Sequence, residues 1–140
     1  MNNNTKSHDK GKEKVDQQVA VAIGGSSSGI GYETSLSLAR NGFYVLATAR
    51  KLDESINHIT DIAMNENLPL QVIQLDVNND NSVTEAINRI AKEKGRFDVV
   101  INNAGYALYG AFKETSIHEI KAHFETNFFG PARAMQAVIS

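Results

Sequence analysis

The chain has 140 residues, enough for one domain. Its hydrophobic fraction of 41% and charged fraction of 21% are typical of a soluble globular protein, and its net charge of −2 gives no reason to expect nucleic acid or a membrane as a partner. It has no cysteine, which excludes disulfides and thiolate metal sites, and its four histidines are dispersed, so no metal site is predicted. Because it lacks a membrane-spanning run and the apolar core of a signal peptide, we expect a cytoplasmic location.

The first 18 residues are polar, with lysines mixed among acids. A segment of this composition has almost no apolar surface to bury, so residues 1–18 are predicted to form a disordered tail. Residues 19–140 are predicted to form the domain.

A glycine-rich stretch, GGSSSGIG at residues 24–31, is the most informative part of the sequence. It follows the apolar run VAVAI at residues 19–23, which predicts a buried strand, and precedes a helical pattern that ends near Gly42. Strand, tight turn and helix are the order of a phosphate-binding βα unit, in which an anion approaches backbone that has no Cβ and meets the N–H groups of the helix start. A Gly/Ser-rich turn without a ligand is the alternative that this motif alone leaves open.

Three more apolar segments follow, at residues 43–48, 70–75 and 97–101, and each is followed by a helical pattern. Nearly continuous apolar strands that alternate with helices predict an α/β fold with a parallel sheet covered on both faces. The predicted fold is a Rossmann-type, doubly wound sheet, truncated to its first four strands in the order 3-2-1-4.

Two helix starts carry the pattern of a capping box, at Ser82-x-x-Glu85 and at Ser116-x-x-Glu119. In the last helix, Pro131 has no N–H to donate, which predicts either a kink between Asn127 and Pro131 or a new helix after a break at Gly130. An apolar stripe of this helix is expected to face the core and consists of Ile117, Ile120, Phe124 and Phe128.

In this fold a ligand lies across the carboxyl ends of the strands, so the residues just after each strand are candidates for binding. Arg50 follows the second strand at a point where an acid would bind a ribose 2′-hydroxyl, and an arginine there suits a 2′-phosphate; a solvated loop arginine is the alternative. Asp76 follows the third strand and could accept a hydrogen bond from an adenine amino group or cap the next helix. Small residues follow the fourth strand, in the sequence NNAG at residues 102–105.

The glycine-rich stretch, LDV at residues 75–77, NNAG at residues 102–105 and ETNFFG at residues 125–130 together resemble the short-chain dehydrogenase/reductase family. The resemblance extends from residue 19 to residue 140. It implies a nicotinamide cofactor and transfer of a hydride between that cofactor and a small-molecule carbonyl or alcohol substrate. Arg50 makes NADP(H) the preferred cofactor, with NAD(H) as the alternative.

The resemblance also implies roles for individual residues. The pyrophosphate would be held by Gly25, Ser27, Ser28, Gly29, Ile30 and Gly31. The adenine and the nicotinamide-side ribose would lie against Asp76, Val77, Asn103, Ala104 and Gly105. Asn127 matches the asparagine of the catalytic set. Gly24 stands where the family usually has a threonine whose hydrogen bond ties the turn to the strand, so a looser turn is expected.

The rest of the family's catalytic set, a serine and a Tyr-x-x-x-Lys pair, would follow the strand after the last helix, and the sequence ends at Ser140. Tyr109 and Lys113 have this spacing but precede the last helix, so we interpret them as a coincidence. The chain is therefore predicted to be the cofactor-binding half of an oxidoreductase that would be a homo-oligomer when complete, and to be inactive alone. A non-catalytic dinucleotide-binding module and an inactive truncated product are the alternatives. Tyr106 and Phe112 suggest an apolar substrate.

Overall fold

The computed structural model describes residues 16–24 and 26–140, so the predicted tail up to residue 15 and the predicted phosphate-binding residue Gly25 lie outside the described residues. Within the described part, no helix combines the length and apolar composition needed to cross a membrane. The strands and helices are β1 (Val19–Ile23), α1 (Gly29–Arg40), β2 (Tyr44–Ala49), α2 (Asn57–Asn65), β3 (Leu70–Gln74), α3 (Asp80–Lys94), β4 (Val99–Asn102), α4 (Ile117–Phe124) and α5 (Gly130–Ile139).

The four strands form one parallel sheet in the order β3-β2-β1-β4, which confirms the predicted fold. Val21 of β1 lies opposite Leu46 of β2 on one side and Val100 of β4 on the other. All five residues of β1 are buried because this strand has a neighbour on each side and helices over both faces.

Two apolar cores separate the sheet from its helices. On one face, Leu46 and Ile73 pack with Ile87 of α3 and Ala134 of α5. On the other face, Ala20 of β1 and Val45 of β2 pack with Leu36 of α1 and Ile59 of α2. The helices therefore cover both faces, as a doubly wound sheet requires.

The domain's contacts begin before the predicted boundary at residues 18 and 19. The carbonyl of Gln18 accepts a hydrogen bond from the N–H of Tyr44 at 2.8 Å, and the side chain of Gln17 donates to the carbonyl of Gly42 at 3.0 Å. Asp16 pairs with Arg96. Residues 16–18 thus lie against the body of the domain.

One of the two predicted capping boxes is confirmed. The Ser116 hydroxyl accepts from the N–H of Glu119, and the Glu119 carboxylate accepts from the N–H of Ser116. The box predicted at Ser82 is wrong, because α3 begins earlier and its N-cap is Asn79, whose side chain accepts from the N–H of Ser82. Several capping residue types stand in a row here, so the S-x-x-E pattern alone does not identify the residue that caps the helix.

The predicted apolar stripe of the last helix is also wrong. Ile117, Phe124 and Phe128 are 66%, 54% and 62% exposed. The physical reason is that β4 is an edge strand of the described sheet, so no described strand lies beneath α4. The buried contacts of this helical stretch are instead made by Gly130 and Ala134 in α5.

The proline in the last helix does not interrupt it. A π-helical turn at Glu125–Phe129 joins α4 to α5, and Phe129 and Gly130 keep helical backbone angles. The N–H of Gly130 bonds to the carbonyl of Glu125, one residue farther back than in an α-helix. The missing donor of Pro131 is therefore accommodated by a wider turn, and Asn127 lies within that turn.

Candidate functional site

A cleft of about 520 Å³ opens at the carboxyl ends of the strands. Six residues that the sequence nominated line it: Ser27, Arg50, Asp76, Val77, Ala104 and Gly105. Others that the sequence analysis did not nominate line it too, among them Gly24, Ser26, Lys51, Asn78 and Thr126. The ends of all four strands therefore contribute to one concave surface.

The glycine turn after β1 is tied to its neighbours by three hydrogen bonds. The N–H of Gly24 donates to the hydroxyl of Thr48 at 2.9 Å, and the hydroxyl of Ser26 donates to the carbonyl of Thr48 at 2.7 Å. The side chain of Asn103 donates to the carbonyl of Gly24 at 3.1 Å. The tie that a threonine at position 24 would make is thus supplied by Thr48, a buried residue that the sequence analysis did not select. The sequence does place Thr48, a polar residue, near the end of β2, and the predicted strand order puts β2 beside β1.

Gly24 also sets the depth of the cleft. Its φ is +83°, and a Cβ at this position would lie 2.4 Å from the Cβ of Ala104. The backbone after β1 and the backbone after β4 can approach this closely only because position 24 has no side chain.

In the described part of the chain, the start of α1 has neither a side-chain cap nor an acidic residue in its first turn. Its N-cap is Ser28, whose hydroxyl makes no capping hydrogen bond, and its first turn contains no acidic residue. The first N–H groups of an α-helix have no acceptor within the helix, and they lie at the positive end of the helix dipole. This helix start can therefore accept an anion.

Two cations stand where β2 ends. Arg50 and Lys51 both line the cleft, and the Arg50 guanidinium makes no hydrogen bond or ion pair with the described residues. The nearby carboxylate of Asp53 is engaged by Ser55, and these hydrogen bonds, with a smaller contribution from Lys51, lower the pKa of Asp53. Positive charge therefore exceeds negative charge at this end of the cleft.

Asp76 is half-buried in the cleft wall, and one of its carboxylate oxygens accepts from the N–H of Asn78 at 3.0 Å. It does not cap α3, since Asn79 does. The helix-cap alternative for Asp76 is thus excluded, and Val77 beside it is buried.

Asn127 lies outside the cleft lining and holds the segment that follows Gly105. Its side-chain oxygen accepts from the N–H of Tyr106 at 3.0 Å, and its side-chain nitrogen donates to the Tyr106 carbonyl at 2.7 Å. The same nitrogen lies 3.0 Å from a ring nitrogen of His123. Asn127 and Asn103 therefore both hold backbone at the rim of the cleft.

Of the remaining nominated residues, Ser28, Gly29, Ile30 and Gly31 form the start of α1, next to the cleft lining. Residues 16–24 and 26–140 contain no group of three His, Cys, Asp or Glu side chains placed to bind a metal. A second groove, of about 570 Å³, runs along β3 and α2, but its lining is mainly apolar and brings no set of charged groups together.

A parallel sheet in this order, with a glycine turn leading into an open helix start, defines the Rossmann class of dinucleotide-binding folds. The chain belongs to the short-chain dehydrogenase family, since the family model described as short chain dehydrogenase matches residues 18–140.

The chain is 35% identical over 123 residues to a 3-ketodihydrosphingosine reductase of Bacteroides thetaiotaomicron, covering 88% of this chain and 42% of that protein. It is 39% identical over 128 residues to retinol dehydrogenase 8 of Bos taurus, covering 89% of this chain and 40% of that protein. It resembles the alcohol dehydrogenase of the archaeon Thermococcus sibiricus, solved as a complex with 5-hydroxy-NADP, with a TM-score of 0.79 and 30% identity over 88% of this chain and 52% of that one. The chain thus spans about two fifths of the length of these curated relatives.

Proposed function

We propose that this chain is the cofactor-binding part of an NADP(H)-dependent oxidoreductase that transfers a hydride between the nicotinamide and a carbonyl or alcohol substrate. The observation that carries the proposal is one cleft that lies next to an uncapped, acid-free helix start and is lined by an arginine whose guanidinium bonds to none of the described residues. The first group suits a diphosphate, and the second suits the 2′-phosphate that distinguishes NADP(H) from NAD(H).

Each part of the cofactor has a matching surface in the proposal. The start of α1, with Ser27 and the residues of the glycine turn, would hold the diphosphate. Asp76 and Val77 would hold the adenine, and Asn103, Ala104 and Gly105 would hold the nicotinamide-side ribose. The bound nicotinamide supplies or accepts the hydride. Asn127 serves the catalytic set by holding the Tyr106 backbone beside the cleft.

The proposed substrate is an apolar carbonyl compound or alcohol. Tyr106 lines the cleft beyond Gly105, and Tyr109 and Phe112 are exposed on the segment that follows it. The names of two relatives, a 3-ketodihydrosphingosine reductase and a retinol dehydrogenase, point to the same substrate class.

The test is a calorimetric titration of the chain with NADPH and with NADH. We expect tighter binding of NADPH, and we expect Arg50→Ala to weaken NADPH binding by about 1.5–3 kcal/mol because hydrogen bonds to a charged phosphate are lost. NADH binding should not change. Arg89→Ala is the matched control, since Arg89 is exposed on α3 and pairs with Glu93, its one ion-pair partner among the described residues.

Equal affinities of the unmodified chain for the two cofactors would contradict the NADP(H) preference, and no binding of either would contradict the cofactor site. For hydride transfer, the absorbance of NADPH is followed with a long-chain aldehyde. Oxidation of NADPH is expected from a longer natural chain that contains these residues and supplies the remaining catalytic groups. Turnover by the 140-residue chain alone would contradict our prediction that those groups lie outside it.

A further inference from the structure

The loop that follows β3 and the turn that contains Asn127 are joined through one arginine. Arg133 extends from α5, and its side chain is 22% exposed. One of its terminal nitrogens donates to the Glu125 carboxylate at 2.7 Å, the other donates to the carbonyl of Val77, and its Nε donates to Asp80. A single side chain thus bonds to the π-helical turn, to the loop after β3 and to the first turn of α3.

Two further contacts join the same pair of segments. The side-chain nitrogen of Asn78 donates to the hydroxyl of Thr126 at 2.9 Å. Gly130 packs directly on Val77, since a Cβ at position 130 would lie 2.9 Å from a Val77 methyl carbon. The loop and the turn are therefore in contact without a gap.

The guanidinium group is suited to this arrangement. It is planar, carries five N–H donors in a fixed fork and accepts no hydrogen bond, so it can hold three acceptors in one plane. The hydrogen bond to Glu125 raises the pKa of Arg133 against the opposing effect of burial, so the group remains charged. A π-helical turn is wider than an α-helical one and is rare, so contacts outside the helix matter more for its geometry.

We propose that Arg133 is a positioning residue that couples the two segments, so that a ligand bound at Asp76 and Val77 orders the turn at Glu125–Phe129. This inference rests on the proposed function, because it takes the adenine end of NADP(H) as that ligand. The consequence is that the cofactor's adenine end helps to set the position of Asn127, although Asn127 itself does not line the cleft. Arg133 touches neither cofactor nor substrate in this proposal.

The experiment uses adenosine 2′,5′-bisphosphate, which carries the adenine end of NADP without the nicotinamide. Hydrogen exchange of the 140-residue chain is followed by mass spectrometry with and without this probe. In the unmodified chain we expect slower exchange both at residues 76–80 and at residues 125–130. In Arg133→Met, which keeps the apolar stem, we expect protection at residues 76–80 to persist and that at residues 125–130 to fall by about fivefold or more.

Two variants separate coupling from general stability. Arg133→Lys keeps the charge but not the fork, so we expect an intermediate loss of transmitted protection. Arg89→Met removes an exposed arginine from α3, and in this variant the bisphosphate should slow exchange at residues 125–130 as it does in the unmodified chain. If Arg133→Met does not fold, Glu125→Gln replaces it, because this change weakens only the bond between Arg133 and the turn.

The outcomes are distinguishable. Bisphosphate that binds and protects both segments equally well in the folded Arg133 or Glu125 variant would overturn the coupling while leaving the proposed cofactor site intact. Bisphosphate that does not bind the unmodified chain, as measured by calorimetry, would overturn the proposed NADP(H) site, and the coupling would fall with it. Loss of transmitted protection in Arg133→Met, with Arg89→Met unchanged, supports the proposal.

Discussion

The starts of α1 and α3 occupy equivalent places in the fold, since each helix follows a strand at the carboxyl edge of the sheet. At α3, Asn79 caps the helix, Asp80 stands in the first turn, and Arg133 pairs with that acid. At α1, the Ser28 hydroxyl makes no capping bond and the first turn has no acid. Among the described residues, one helix start is thus satisfied by side chains of the protein and the other has no side-chain cap.

In the proposed function, this difference would make one of two similar strand–helix units a binding site. An N-cap bond contributes about 1 kcal/mol, so the free start of α1 forgoes a stabilisation of that size. The positive end of its dipole and its N–H groups remain available to an anion, whereas at α3 the N–H of Ser82 already bonds to the side chain of Asn79.

The largest effect on stability is expected when a side chain is added in the turn that leads to the start of α1. Gly24→Ala puts a Cβ 2.4 Å from that of Ala104 on a residue whose φ is +83°. We expect the free energy of unfolding to fall by about 3 kcal/mol, because backbone strain and a displaced neighbour both contribute. Urea unfolding followed by circular dichroism measures this loss.

Gly42→Ala is the matched control for that change. Gly42 has a similar φ of +91°, but an added Cβ would meet no atom within 4 Å. It should cost about 1–2 kcal/mol from backbone strain alone. Equal losses at the two positions would show that the contact between Gly24 and Ala104 does not limit the turn.

The second prediction concerns a substitution that gives the start of α1 a side-chain cap, as at the start of α3. Ser28→Asp places a carboxylate at the N-cap, where it can accept from the helix N–H groups and interact with the dipole. We expect stability to rise by about 0.5 kcal/mol and NADPH binding to weaken by about 1–2 kcal/mol, since the carboxylate repels the diphosphate. The expected result is a higher free energy of unfolding together with weaker NADPH binding by calorimetry. A loss of both stability and affinity would contradict the proposed difference between the starts of α1 and α3.

The third prediction compares the two caps directly. Asn79→Ala removes the acceptor for the Ser82 N–H and should cost about 1 kcal/mol. Ser28→Ala removes a hydroxyl that makes no capping bond, so its effect should stay within about 0.5 kcal/mol. Thermal unfolding of the two variants under one condition measures the difference, and similar losses would mean that α1 is capped in solution.

The sequence predicted the sheet and part of the cleft lining because both depend on local patterns. Alternating apolar strands and helices predict a parallel sheet, and the dinucleotide-binding fold predicts its strand order, which brings Arg50, Asp76 and Gly105 to one edge. The family resemblance added the roles of the residues between them. Each of these inferences needed only the order of elements along the chain.

The errors concern contacts between distant parts of the chain. The stripe at Ile117 and Phe124 has the right period for a core face, but periodicity does not say whether a strand lies beneath it. The tie from Thr48 to Gly24 and the bonds of Arg133 to Val77 depend on side-chain positions across the sheet edge, which spacing does not encode. The capping box predicted at Ser82 was wrong for a local reason, because Asn79, three residues earlier, caps the helix instead.

The smallest expected effect concerns a third helix start, that of α4, which is capped by a titratable group. The hydrogen bonds from Ser116 lower the pKa of Glu119 below its ordinary value of about 4.3. A depressed carboxyl pKa stabilises the folded state above the unfolded pKa, and this contribution is lost as the pH falls through the folded value. The amide of Asn79 at α3 does not titrate, so its capping bond does not change over that interval.

We therefore expect the exchange protection factors of α4 to fall between about pH 4.5 and pH 3, while those near the Asn79 cap change less. Glu119→Gln should remove this pH dependence, because a neutral amide can still accept from the N–H of Ser116. Nuclear magnetic resonance of the amides at several pH values is the measurement. The same acid-induced fall in Glu119→Gln as in the unmodified chain would show that another group controls the start of α4, and the contrast among the three helix starts would then concern α1 and α3 alone.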